Sequence, residues 1–170
     1  MYLSPLPEAA RNRMAERATP REIPLAHGTL NGCFGCGDDN DAGLHLQFFI
    51  DDEQRVLCRV TLAKQFQGPP GHAHGGIIAT LLDEAMSKAN RHRNITAMTR
   101  HMSIDYLKPV PLATPLLLEG WSESDTESES GRKHRCTAEL RSPDGTVLAS
   151  ATGIFIEVPA ELLRRHATGT

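Results

Sequence analysis

The stretch HGGIIATLLDEAMSKAN, from His74 to Asn90, decides the fold. Ile78, Leu81, Leu82, Ala85 and Ala89 recur at spacings of three and four, which is the apolar stripe of a helix. Ile77, Ala79 and Met86 fill much of the remaining circumference, so the helix is expected to be buried on most sides. Asp83 and Glu84 interrupt it midway. A carboxylate buried without a partner is costly, so the pair needs an opening to water or a chemical task. In front of the helix, QFQGPPGHAHGG (65–76) is too rich in glycine and proline to be helix or strand. Gly75 and Gly76 fall where the helix begins. Glycines there let a ligand approach unpaired backbone N–H groups, and the helix dipole favours negative charge at that tip. The same glycines also serve as nothing more than a sharp corner between loop and helix.

Outward from the helix, alternation predicts strands. Leu44, Leu46, Phe48 and Ile50 alternate with more polar neighbours, giving a strand over 44–50. Val56, Cys58, Val60 and Leu62 give a second, and Asp51–Gln54 would turn the two into a hairpin. After the helix, residues 95–107 alternate again. Met98, Arg100, Met102, Ile104 and Tyr106 share one predicted face, and Thr99, His101, Ser103, Asp105 and Leu107 share the other. Neither face is purely apolar, so this strand is expected to meet a partner as well as a core. Pro109, Pro111 and Pro115 interrupt the pairing. Strands over 116–121, 135–140 and 146–158 follow, separated by a polar loop at 122–133 and a PDG turn at 143–145. Residues 1–25 read as an N-terminal arm with a short polar helix at 7–18. Residues 26–158 form one domain, and 159–170 a tail with a helical turn. Two strands, one long apolar helix and four more strands specify an α+β fold. A curled antiparallel sheet of about six strands, wrapped around one central helix, hides both apolar surfaces.

The chain has 170 residues, enough for a single domain with its own core or for a protomer of an oligomer. A net charge of −3 argues against nucleic acid as a partner. No apolar run approaches the roughly 20 residues that span a bilayer, and MYLSPLPEAARNRMAERATP lacks the basic-then-apolar order of a secretory signal. A soluble cytoplasmic protein is expected. Cys33, Cys36, Cys58 and Cys136 do not make a disulfide framework in a chain of this size. The CFGCG at 33–37 lacks the βαβ neighbourhood of a redox dithiol, and zinc would want two further ligands at short spacing, with His27 and His45 at hand. Two small thiols buried at a turn are the favoured reading, and no metal is expected.

Asp83 lies eight residues from the Gly75 amide, about 12 Å along a helix. One carbonyl cannot be served by both groups of a single helix. If both act on one substrate, the amide comes from one protomer and the carboxylate from another, on antiparallel helices about a two-fold axis. Asp83 read alone is equally a helix carboxylate satisfied by hydroxyls or water.

QGPPGHAHGGIIATLLDEAMSKA, followed by AMTRHMSIDYLKPVPL and GRK, resembles the hotdog-fold acyl-CoA thioesterases of the phenylacetate-degradation type, and within them the branch of the mammalian thioesterase superfamily members. The upstream CFGCGDDNDAGLHLQF is similar to the lead-in of that branch, and the likeness runs from about Cys33 to Val158. The resemblance implies hydrolysis of acyl-CoA to free acid and coenzyme A without a cofactor. It implies a homodimer with shared sites, able to pair into a tetramer. Gly75 would donate its N–H to the thioester oxygen and His74 would help place that oxygen. Asp83 would activate water or attack as nucleophile, and Thr99 would hold the water or the aspartate. Gly76 would lie against the substrate. The family often has Asn or Gln just before His-Gly-Gly; here Gln67 is displaced by one position and Gly68 takes its place, leaving His72 as a substitute. Arg100, Lys108, Arg132 and Lys133 are the candidate cations for the nucleotide of coenzyme A. Met86, Met98, Met102 and Phe66 suit an acyl tunnel or ordinary core packing. A non-catalytic acyl-CoA-binding protein and a hydratase or dehydratase on the same scaffold are the alternatives.

Overall fold

The computed structural model describes residues 31–123 and 132–159. The expected arm, most of the tail and most of the polar loop lie outside them. Six strands and one long helix form the described unit: β1 (Phe49–Ile50), β2 (Val56–Thr61), α1 (Gly75–His92), β3 (Ala97–Tyr106), β4 (Pro115–Ser122), β5 (Lys133–Arg141) and β6 (Val147–Glu157). The strands make one antiparallel sheet in the order β1-β2-β4-β5-β6-β3. The chain crosses from β2 through α1 to the far edge, lays down β3, and returns to place β4 against β2.

The expected helix is present and runs two residues further, to His92. Ile78, Leu81, Leu82, Ala85, Met86 and Ala89 are buried in the concave face of the sheet, among Val56, Cys58, Leu116, Leu118, Ala138, Leu140, Ala151 and Phe155. Each large apolar side chain so placed stabilises the fold by about 1.5–3 kcal/mol. Two glycines seat the helix. A Cβ on Gly120 of β4 would stand 2.6 Å from the Ala85 carbonyl oxygen, and one on Gly153 of β6 would stand 2.9 Å from the Met86 sulfur. At Gly120 helix backbone and sheet backbone therefore meet more closely than a side chain would allow.

Two sequence expectations are corrected. The strand over 44–50 is reduced to Phe49–Ile50. Leu46, Phe48 and Ile50 are still buried in alternation, but the Leu44 and Leu46 amides donate to the carbonyls of Phe34 and Gly35 rather than to a sheet neighbour. The two faces assigned to 95–107 are also wrong in phase. β3 carries a bulge, because Thr99 pairs with Phe155 and His101 with Ile154, leaving Arg100 as the extra residue. The bulge turns Thr99 to the same side as Met102 and Ile104, which pack on the core, and as Tyr106, which reaches the start of α1.

The proline segment after β3 braces the glycine-rich loop. Ala73 N–H donates to Val110 O at 2.9 Å, Leu112 N–H to Gly71 O at 3.1 Å, and Ala113 N–H to Leu62 O at 2.9 Å. No described helix is long and apolar enough to cross a membrane.

The close seat at β4 gives a stability test. Gly120→Ala is expected to lower the free energy of unfolding in urea by about 1–3 kcal/mol through overpacking, whereas Gly32→Ala, where a Cβ meets nothing within 4 Å, should change little. Equal effects of the two would show that the helix is not held at Gly120.

Candidate active site

The tip of α1 is capped by its own preceding residue. His74 holds extended backbone (φ −67°, ψ 140°), and its Nδ1 accepts the Gly76 N–H at 2.9 Å. Because Nδ1 accepts, a neutral ring carries its proton on Nε2, free to donate outward. The Ile77 and Ile78 amides close on the His74 carbonyl, at 3.0 and 3.1 Å. The Gly75 N–H is then the one amide of this turn that meets no acceptor among the described residues. Of the two glycines, Gly75 offers the donor, and Gly76 has its own N–H engaged by His74.

Asp83 stands on the side of α1 that the sheet leaves partly open, with Ala79, Thr80 and Ser87, all partly buried. Thr99 of β3 donates its hydroxyl to Asp83 Oδ1 at 2.7 Å. Burial raises the Asp83 carboxyl above the ordinary aspartate range; the Thr99 hydrogen bond opposes that shift, and the neighbouring Glu84 charge adds to it. The carboxylate is thus oriented by one hydroxyl, more basic than in water, and has Oδ2 left for another partner.

The other expected residues are scattered. Gln67 accepts the Gly71 N–H on Oε1 at 3.2 Å, and His72 Nδ1 lies 2.9 Å from Pro70 O, so both side chains are engaged in shaping the loop before the helix. Arg100 is the exposed bulge residue beside Thr99. Lys108 is exposed just past the end of β3 that lies against Gly75, its N–H on Leu148 O. Arg132 and Lys133 are exposed at the opposite end of the sheet, where Lys133 and Met98 both pair with Ile156 of β6. From that end of β3 to Tyr106 is about 25 Å of extended chain. A single chain therefore does not gather these cations at one point. Met86 is fully buried core, and Met98 is exposed.

Tyr106 was missed by the alternation. Its hydroxyl donates to Gly75 O at 3.2 Å, and its ring edge would touch a Cβ on Gly75 at 3.7 Å. The signal was present in the Tyr-Leu-Lys-Pro stretch, but an unbroken period of two put Thr99 and Tyr106 on opposite faces.

The thioesterase superfamily model matches residues 70–126, which hold the second half of the loop, α1, β3 and β4. The crystal structure of a thioesterase superfamily protein, RHA08564, superposes with a TM-score of 0.70 at 30% identity, covering 88% of this chain and 74% of that one. The chain belongs to the thioesterase superfamily. Its curled sheet around α1 is the hotdog fold expected from the sequence. Acyl-coenzyme A thioesterase THEM4 of Bos taurus is 32% identical over 123 residues, 70% of this chain and 49% of that protein. The chain spans about half the length of the curated relatives it matches. The PaaI protein of the E. coli phenylacetic acid degradation operon shares the fold, with a TM-score of 0.60 at 18% identity, covering 67% of this chain and 84% of that one.

The raised Asp83 carboxyl makes a stability prediction. The folded chain holds the Asp83 proton more tightly than the unfolded chain, so the fold is favoured while that proton is bound and loses stability as pH rises through the raised value. Asp83→Asn removes the ionisation and keeps an oxygen for Thr99. The variant should be more stable than wild type in urea at neutral pH, with the difference closing below the ordinary aspartate value of about 3.9. A variant less stable than wild type at neutral pH would contradict this.

Proposed function

We propose that the chain hydrolyses acyl-CoA thioesters. The observation that carries this reading is a partly buried, proton-hungry Asp83 fixed by Thr99 on a helix whose tip presents an unpaired Gly75 amide. The two groups sit about 12 Å apart on one helix, so each site combines Asp83 of one chain with the partner subunit's Gly75. The edge strand supports such a pairing. Among the described residues β3 has a sheet neighbour only on its β6 side, and Met98, Arg100, His101, Ser103 and Tyr106 are all exposed on it. An open edge of this length is normally covered. The unit that acts is a homodimer of the 26–158 domain, able to pair further into a tetramer. The four cysteines are free thiols, as a reducing cytoplasm keeps them.

In the reaction, Thr99 holds Asp83 Oδ1 while Oδ2 accepts a proton from water. The hydroxide so formed adds to the thioester carbonyl carbon, and the carbonyl oxygen becomes an oxyanion held by the partner subunit's Gly75 N–H, with the His74 Nε2–H beside it. The tetrahedral adduct collapses, the C–S bond breaks, and the proton on Asp83 passes to the departing coenzyme A sulfur. Such an amide is worth about 3–4 kcal/mol of barrier. Tyr106, on the Gly75 carbonyl, holds the same turn against β3. Antiparallel pairing of two β3 edges would bring Lys108 of one chain toward the end of the sheet that carries Arg100, Arg132 and Lys133 in the other, a cationic rim for the phosphates of coenzyme A. Gly76, Gln67 and His72 shape the loop the acyl group passes. No metal or organic cofactor takes part in these steps.

Purified protein should release thiol from at least one member of an acyl-CoA panel, and Asp83→Asn should lower kcat by about 10²–10⁴-fold with binding retained. The acid limb of kcat/KM should lie above the ordinary carboxylate range, because burial raises Asp83. Binding without turnover in wild type would make the chain an acyl-CoA-binding protein, and unchanged turnover in Asp83→Asn would remove the aspartate from the mechanism.

A further inference from the structure

The CFGCG loop has no part in the hydrolysis, yet it is built onto α1 at the residue next to Asp83. Its fold is tight. Gly37 N–H donates to Cys33 O at 2.9 Å, and the Asn31 side chain holds Cys33 N–H at 3.3 Å and Cys36 O at 3.2 Å. A Cβ on Gly37 would lie 2.2 Å from Asn31 O, so only glycine follows the second cysteine. Gly35 presses on the Glu84 carboxylate, where a Cβ would meet Oε2 at 2.6 Å. The turn thereby brings both sulfurs to Glu84. One ligating atom each from Cys33, Cys36 and Glu84 lie within 4.8 Å of one another, with Cys33 Sγ 3.9 Å from Glu84 Oε2. Lys88, one helical turn on and 5% exposed at its side chain, places Nζ 3.1 Å from Cys36 Sγ and 3.5 Å from Glu84 Oε1.

We propose that Cys33, Cys36 and Glu84 form a binding site for a thiophilic divalent metal ion, Zn²⁺ by the nature of its donors, with Lys88 as the ammonium that hydrogen-bonds the Cys36 sulfur. Two sulfurs and a carboxylate oxygen suit zinc rather than magnesium or calcium. Tetrahedral zinc separates its sulfurs by about 3.8 Å, given bonds of about 2.3 Å, so the cluster closes on the ion with a small side-chain adjustment. The fourth position is taken by water on the Cys33 side, the less buried of the two thiols. Charge balance supports the assignment. Two thiolates and one carboxylate carry three negative charges, and the ion with Lys88 carries three positive ones, so the loaded site is neutral where an unbalanced charge would be costly. The metal-free site is neutral in another way, with Lys88 paired to Glu84 and both cysteines as thiols. Loading therefore releases two thiol protons to solvent and forms two metal–sulfur bonds, and affinity rises with pH. The bound ion would fasten the 31–43 loop to α1 between Asp83 and Lys88. The hydrolysis needs no metal, so this site is a structural clamp and stands or falls independently of the proposed activity.

The test uses the full chain, reduced and stripped with a chelator, then titrated with Zn²⁺ and with Co²⁺. The expected results are one zinc retained per chain after dialysis, about two protons released per ion, tighter binding at higher pH, and a thiolate-to-cobalt charge-transfer absorption in the near ultraviolet. Cys33→Ser and Cys36→Ser should each abolish that absorption, Glu84→Gln should weaken binding several-fold, and Cys58→Ser should leave it unchanged. Wild-type protein that shows no charge-transfer band and retains far less than one zinc per chain overturns the proposal, as does a band that survives both Cys33→Ser and Cys36→Ser. If a serine variant does not fold, the wild-type stoichiometry and proton count decide the matter alone.

Discussion

One helix must be buried on three sides and left open on the fourth, and the molecule is arranged around that demand. The sheet meets three sides of α1, most closely at Gly120 and Gly153, where helix backbone, helix side chains and strands come within distances that exclude a side chain. The fourth side carries Ala79, Thr80, Asp83 and Ser87, and is covered only partly by β3. An ionised carboxylate is tolerable there because Thr99 reaches it and because the surroundings are not sealed. Partial burial on that side therefore does two things at once: it raises the basicity of Asp83 and leaves the ionised form tolerable.

The same arrangement separates what a thioester needs. The helix tip concentrates positive potential at Gly75, while the carboxylate sits two turns away on a rigid rod that cannot bend to meet it. β3 connects the two ends by a different route. Thr99 at one end of it orients the acid and Tyr106 at the other holds the first turn of the helix, so one strand controls the geometry of both half-sites. The exposed edge of that strand is also the surface on which a second copy would complete each half-site.

Much of this was legible in the sequence because periodicity is a local signal. The stripe from Ile78 to Ala89, the helix start at Gly75 and the alternation over β2 follow from spacing alone. The bulge at Arg100 was not legible, since a one-residue insertion leaves no mark in composition, and it put Thr99 on the wrong face relative to Met102, Ile104 and Tyr106. The strand over 44–50 failed for a related reason. Its side chains alternate correctly, but its backbone bonds to the CFGCG loop, a partner that hydropathy cannot name. The proximity of Cys33 and Cys36 to Glu84 and Lys88 was hidden because two strands, the glycine-rich loop and half a helix separate them in the chain. Spacing alone left Gly75 and Gly76 as a pair and the resemblance gave Gly75 the donor role, while the His74 cap accounts for the occupied Gly76 amide.

The central claim is that Gly75 and Asp83 meet across two chains, and a mixed dimer tests it most directly. Gly75→Pro removes the N–H at the first helical position, where proline is well accommodated and where His74 already has the extended backbone that a following proline requires. Differently tagged Gly75→Pro and Asp83→Asn chains, each inactive as a homodimer, are co-expressed and the mixed dimer is isolated through both tags. If the site is shared, one of its two sites is intact and acyl-CoA hydrolysis returns to about half the wild-type rate per dimer. A mixed dimer as inactive as its two parents would place both groups in the same chain's site and contradict the account.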